Sequence, residues 1–479
     1  MITEPVAIRP SSSAVPGPSR AAEMEAFVRR IVGLLDAAAI PYCVLRNRDR
    51  IPSGLLEWDD IDLMVPAALS RRQLLDLFAP LGPVQVVAIR AGFTALFLPV
   101  QDLFLRIDVY HGDLEWRAAA YGLNEEILAA RRDDAGIMVA SPVHQAFLAW
   151  FSKLLREGTF KTRYAPMIEA AMREEPDAFR SLLARTFGRQ LAAHLAGLAQ
   201  CGRLQESDAI VPAIKRALWL HALRRRPGTT LTRFVRQLGN AVGHRVRPTG
   251  LDVALLGPDG AGKTSLCEAL SRLPSRQVPF ASVKYRKLYH RVLPTIGDLE
   301  SRLLRRPRRP KPDPANPHGV PPRHLLVWLL SEGYYTVDRW LGELLWNRRQ
   351  LAHTKLMLHD RHPLEVTIDP RRYRYAGPAW LARGIARLAP RPDLIIVLDA
   401  PPDVIQARKQ DVSFEESARQ REAFRELAAQ VPNARIVNAA QPFDAVVRDV
   451  IAIVTETTAS RTRRRYGQGI GSGTQGGPR

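Results

Sequence analysis

The run LDVALLGPDGAGKTSLCEAL, residues 251–270, decides how this chain is read. Leu251 to Leu256 is an apolar run of strand length, and Ser265 to Leu270 opens a helical pattern. Between them Gly257, Asp259, Gly260, Ala261, Gly262, Lys263 and Thr264 complete G-x-x-x-x-G-K-[ST] around Pro258. Glycines let successive backbone N–H groups curl around an anion, and the N-terminus of the following helix adds positive potential. A lysine at the seventh place reaches the outer phosphates of a nucleoside triphosphate, and the hydroxyl after it suits a hard cation such as magnesium. The loop with Ser265 is therefore expected to hold ATP, with magnesium at Thr264.

Working outward, residues 251–455 read as one domain. Within them Arg305 to Pro322, rich in Pro and Arg, can form neither helix nor sheet and is expected as a mobile loop. Upstream, residues 23–155 alternate short strands with helices, residues 156–223 are helical, and residues 224–250 form a basic linker with an amphipathic helix. Residues 1–22 and 456–479 are expected to lack regular structure. The chain has 479 residues, 46% apolar and 24% charged, with three dispersed cysteines and no CxxC. Those values exclude global disorder, a disulfide scaffold and a thiolate zinc site. No G-x-S-x-G supports serine hydrolase chemistry. A cytoplasmic protein is expected.

The net charge of +21 is concentrated rather than spread. Arg224 to Gly250 holds seven Arg, Arg302 to Pro312 five Arg and one Lys, and Arg461 to Arg479 five Arg, all without an acid. Such segments are either solvated or drawn to anionic surfaces. No aromatics interleave as base-stacking platforms, so nucleic acid is not the expected partner. In the linker, Leu231, Phe234, Val235, Leu238 and Val242 share one helical face, which allows peripheral contact with an anionic membrane at its inner face or packing on a neighbouring domain.

The loop sequence GPDGAGKTSL resembles that of the thymidylate kinase family of nucleoside monophosphate kinases. The resemblance continues through Leu356 to His362 (LMLHDRH), where His replaces the usual aromatic, Pro392 to Pro402, Arg408-Lys409 with Gln420-Arg421, and Ile436 to Ala439. It implies a three-layer α/β/α parallel sheet of P-loop NTPase type and ATP- and magnesium-dependent phosphoryl transfer. Asp360 would then assist the magnesium, Arg361 would face the acceptor anion, and Arg408 and Lys409 would close over the phosphoryl group as a lid. Asp259, an acid among phosphate-binding amides, must face a cation or a substrate hydroxyl. His362, with Arg371, Arg372 and Arg374 in the run IDPRRYRY, is expected at the acceptor. Lys263 and Asp360 are 97 residues apart, which leaves room for an insert rich in Trp and Leu. The resemblance implies a nucleoside monophosphate as acceptor or, as for similar proteins expected beside polysaccharide genes, a sugar or lipid-linked phosphate of a polysaccharide pathway. A homodimer is allowed.

Asp60 and Asp62, two apart on a strand, point to one face, and Asp108 on a later strand could join them at a metal site. This pattern over about residues 25–160 resembles the nucleotidyltransferase fold. Leu45-Arg46-Asn47, however, stands where that family carries Gly-Ser. Two other functions stay open: nucleotidyl transfer at these acids with the kinase-like half as supplier or sensor, and a non-catalytic scaffold switched by nucleotide.

Overall fold

The computed structural model describes residues 18–46, 48, 51, 60–90, 92–101, 103–274, 276–287, 289, 291–303, 321–409 and 413–466. The Pro/Arg loop expected at 305–322 lies outside them but for its last two residues, as do Asn47 and residues 1–17 and 467–479. The chain divides into two compact units, residues 1–243 with 459–479, and residues 244–458.

The first unit is built on a seven-stranded mixed sheet. Its strands are β1 (Cys43–Val44), β2 (Ile61–Met64), β3 (Gln85–Arg90), β4 (Phe93–Val100), β5 (Leu103–Tyr110), β8 (Arg132–Asp134) and β9 (Ile137–Val139), while β6 (Leu114–Trp116) and β7 (Ala119–Gly122) pair apart. The order is β3-β4-β5-β2-β1-β9-β8, with β2/β5 and β1/β9 parallel. α1 (Pro18–Ala37) and α2 (Arg71–Phe78) cover one face, burying Phe27, Ile31 and Leu35 with Leu74 and Phe78. α1 starts five residues inside the stretch expected to be irregular; Pro18 has a preset φ and needs no N–H at a helix start. α3 (Asn124–Ala129) precedes β8. The helical segment follows as α4 (Pro142–Glu157), α5 (Ala165–Glu174), α6 (Pro176–Phe187), α7 (Arg189–Gln200) and α8 (Val211–Arg225). Trp150, Phe151 and Phe179 form its centre, and Met64 and Tyr110 bring the sheet into the same core. The linker expected at 224–250 is mostly one helix, α9 (Pro227–Val246).

The second unit is a mixed α/β unit with a five-stranded, wholly parallel sheet, as in P-loop NTPase-like domains. Its order is β11-β12-β10-β13-β14, from β10 (Leu251–Leu256), β11 (Ser282–Arg286), β12 (Lys355–Asp360), β13 (Leu394–Asp399) and β14 (Ala434–Asn438). Alternation along β10 sets its layers. Leu251, Val253 and Leu255 face α10 (Lys263–Arg272) and α17 (Phe443–Tyr466), while Ala254 and Leu256 face Phe424 of α16 (Phe414–Gln430). The remaining helices are α11 (Ile296–Leu303), α12 (Leu325–Gly342), α13 (Arg348–Ala352), α14 (Ala379–Ala386) and α15 (Pro402–Arg408). α12 passes through a π turn, Glu343–Asn347, into α13. α17 is helical to Tyr466, which corrects the irregular tail expected from 456. Thr458, Ala459 and Thr462 continue a buried face that keeps the helix packed.

Candidate active site

Strand β10 ends at Leu256 and the chain turns at once. Gly257 has φ +142°, and a Cβ there would lie 2.6 Å from the carbonyl oxygen of Leu398 on β13. Both the backbone conformation and the space require glycine. Gly260, at φ +91°, passes beneath the end of α15, where a Cβ would meet Ile405 O at 3.2 Å and Lys409 Cβ at 3.3 Å. The loop is thus pressed between β13 and α15, with its amides presented at the start of α10.

Lys263, the first residue of α10, is buried, and its Nζ donates to the carbonyl oxygens of Gly257 (2.6 Å) and Pro258 (3.0 Å). Burial pushes its amine below the ordinary lysine range, with Glu365 and Asp259 opposing that shift. Thr264 Oγ1 donates to Asp360 Oδ2 at 2.6 Å. The other oxygen, Asp360 Oδ1, is buried without a partner among the described residues. Tyr285 on β11, not anticipated from sequence, donates to Oδ2 at 3.4 Å. An exposed hydroxyl beside a carboxylate with an unsatisfied buried oxygen is a hard-donor pair, and it fits magnesium completed by phosphate oxygens and water. If that pair holds magnesium, Asp360→Asn will raise the magnesium needed for half-maximal turnover by about 10- to 100-fold, read from a metal titration at fixed ATP.

Asp259 faces cations, not a free substrate position. Its Oδ1 takes Arg361 Nη2 at 3.0 Å and lies 3.5 Å from Lys263 Nζ, and its Oδ2 takes Arg372 Nη1. Lys263, Arg361 and Arg372 hold this carboxyl well below the usual range despite burial. Arg361 also donates Nη1 to Glu365 Oε2 (3.2 Å), and Tyr373 OH donates to the same oxygen (3.2 Å). Arg361 does this from φ +114°, a strained backbone for a non-glycine residue and one held in place by the ion pairs. Glu365 is buried, with Oε1 unpartnered among the described residues, and burial raises its pKa. Sequence reasoning missed it because nothing in its local pattern sets it apart.

Beside this cluster lies a cleft open to solvent. Arg361 and Tyr373 wall it on the loop side, and Tyr289, Arg339 and Trp346 lie along the insert. The π turn supplies Glu343, Trp346 and Asn347. Asp338 receives the backbone N–H groups of Val292 and Leu293 (both 2.8 Å) and Tyr289 OH (3.1 Å), fixing that wall.

Several expected roles change in the structure. His362 lines the cleft, but both ring nitrogens are spent on backbone: Nδ1 accepts from Leu364 N (3.2 Å) and Nε2 donates to Pro390 O (3.1 Å). Burial pushes it down to about 4, so it is a neutral wall rather than an acceptor contact. Arg374 donates to Pro321 O (3.0 Å) and braces that segment, Arg371 is exposed, and Arg372 belongs to Asp259. Arg408 donates to Ala439 O (3.1 Å), tying α15 to the turn after β14 instead of covering the loop. Lys409 is exposed beside Gly260, at the loop. Arg421 grips Asp399 at the end of β13 with two bonds of 2.6 and 2.9 Å.

In the first unit, Asp62 and Asp108 are aligned on parallel strands, but arginines neutralise them. Arg46, from the stretch that departs from Gly-Ser, places Nε and Nη2 on Asp62 Oδ2 (3.0 and 2.6 Å), and Tyr110 OH donates to Oδ1 (3.3 Å). Arg106 pairs bidentately with Asp108 (2.8 and 3.1 Å) and lies 3.6 Å from Asp60. Burial pushes Asp108 up to about 6 against that pairing. Among the described residues no three His, Cys, Asp or Glu side chains are grouped to hold a metal. The residues present do not fit the two-metal site expected at Asp60, Asp62 and Asp108, because guanidinium groups already occupy the carboxylates.

No family model matches the chain. Among solved structures, the thymidylate kinase from Candida albicans aligns over 44% of this chain and 93% of its own, at 17% identity and a TM-score of 0.31. So slight a likeness adds nothing to the geometry of the loop. The parallel sheet, the glycine-rich turn and the helix opening at Lys263 give the second unit its class, that of P-loop NTPase-like folds.

Proposed function

We propose that the second unit is an ATP- and magnesium-dependent phosphotransferase that moves the γ-phosphoryl group of ATP to a phosphorylated acceptor seated in the adjoining cleft. One observation carries this reading: buried Lys263 over the loop carbonyls, with Thr264 and Asp360 joined beside it. The amides at the start of α10 would receive the β-phosphate. The Lys263 amine would exchange its two carbonyl partners for β- and γ-phosphate oxygens, which favour its charged form more than the carbonyls do. Magnesium, held by Thr264 and Asp360, would neutralise charge between the β- and γ-oxygens. Asp259, anchored by Arg361 and Arg372, keeps the loop in register with the cleft. Lys409, beside Gly260, would approach the transferring group. An acceptor oxygen attacks the γ-phosphorus and the bond to the β-bridging oxygen breaks, releasing ADP; a phosphate acceptor supplies its oxyanion, so no proton need be removed.

The aromatic wall of Tyr289, Tyr373 and Trp346 with Arg339 suits an acceptor that joins an anion to a ring or an apolar group. Transfer from labelled ATP to panels of nucleoside monophosphates, sugar phosphates and prenyl phosphates tests the reading. Acceptor-dependent ADP release supports it, and tight ATP binding without transfer to any acceptor would leave a nucleotide-switched scaffold instead. Because Asp60 and Asp62 belong to the first unit and not to this site, Asp60→Asn with Asp62→Asn should leave this turnover, measured on protein shown to be folded by circular dichroism, within about twofold of wild type. Equal loss would instead favour nucleotidyl transfer.

A further inference from the structure

α9 exposes an apolar stripe from Leu231 to Val246. Leu231, Phe234, Val235, Leu238, Val242 and Val246 are each 53–63% exposed. Trp219, Leu220 and Leu223 near the end of α8 add to the exposed apolar surface, at 36–41%. A soluble helix normally turns such a stripe inward. Here the opposite side is fixed: Arg233 pairs with Asp113 and with Glu115 (3.0 Å), while Arg236 (3.4 Å) and Gln237 (3.0 Å) also bond Glu115. Those contacts set the helix's rotation and leave the apolar stripe outward.

Exposed arginines accompany this surface in sequence. Arg216, Arg224, Arg225 and Arg226 are exposed on α8 and at its junction with α9, Arg245 is exposed in the last turn, and no acid occurs from 224 to 250. We propose that α8 and α9 dock the protein on a bilayer surface rich in anionic lipid headgroups, with the stripe in the acyl boundary and the arginines on the phosphates. A helix that exposes aromatic and aliphatic residues on one face, preceded by a run of exposed arginines, matches that interface in both terms. A second copy of this surface fits poorly, because residues 211–250 hold no acid to meet these arginines. The helix lies on the surface rather than crossing it, since among the described residues no helix is long and apolar enough to span.

The test is co-sedimentation of the full chain with vesicles of phosphatidylcholine alone or with about 30% phosphatidylglycerol, at low and high salt. Partitioning onto the anionic vesicles is expected to exceed that onto neutral ones by at least about tenfold and to fall with salt. Leu231→Glu with Leu238→Glu, and separately Arg224→Gln, Arg225→Gln and Arg226→Gln together, should each cost about tenfold or more. These positions are exposed, so circular dichroism and ATP binding should stay as in wild type. Absence of binding to anionic vesicles, or binding indifferent to the Leu231→Glu/Leu238→Glu change, would overturn the proposal. So would a lipid-free dimer, seen by sedimentation velocity, that this change dissociates.

Discussion

Lys263→Ala should lower phosphoryl transfer by about 10³-fold or more, roughly 4 kcal/mol of transition-state stabilisation, while leaving the protein folded. The folded state loses little. Lys263 bonds only two loop carbonyls and approaches Asp259 at 3.5 Å, and its burial already disfavours the ammonium. The transition state loses much under the proposed reading, in which a cation at the start of α10 would face the charge that develops on the outer phosphates. Steady-state assays with any competent acceptor, alongside a thermal melt, separate these effects. Turnover within tenfold of wild type would mean that this lysine does not contact the reacting phosphates.

The second large effect belongs to stability. Asp259→Ala leaves Arg361 with Glu365 alone, strips Arg372 of its carboxylate and removes the acid 3.5 Å from Lys263, all of them largely buried. Breaking such a cluster from one side leaves uncompensated charge and costs about 3–5 kcal/mol, a fall in melting temperature on the order of 10 °C for a unit of this size. Asp259→Asn, which keeps the shape, tests the charge alone. Because the native carboxyl titrates well below the ordinary aspartate range, its contribution is full above about pH 5 and is lost as pH falls through the unfolded and then the native value. The stability gap between wild type and Asp259→Asn should therefore be flat from neutrality to about pH 5 and close in acid. A gap that widened on acidification would contradict the ion-pair account.

These two residues also mark what could be read from sequence. The strand, the glycine turn and the helix were legible because periodicity, φ requirements and chemistry agree over twenty contiguous residues. Asp259's need for cations was legible as well, since an acid among phosphate-binding amides must be compensated. Its partners were assigned elsewhere: Arg361 and Arg372 read as acceptor contacts until the fold brought them to the loop. Glu365 and Tyr285 gave no local signal, because their roles exist only through side chains over 70 residues away or across a turn from the strand end. His362 and Arg408 failed for another reason. Each is a polar side chain beside the site whose hydrogen bonds go to backbone, at Pro390 and Ala439, and sequence spacing cannot show which partner such a side chain takes. In the first unit the aspartates were visible as a metal pattern, and only the positions of Arg46 and Arg106 show that ion pairing has taken over those carboxylates.

Calorimetric titration of the full chain with ATP, with and without magnesium, addresses the phosphate-binding loop most directly. Saturable binding in about the micromolar-to-millimolar range, strengthened by magnesium and lost in Lys263→Ala, is the predicted result. A folded wild-type protein that takes up no ATP at millimolar concentration, with magnesium present, would contradict it.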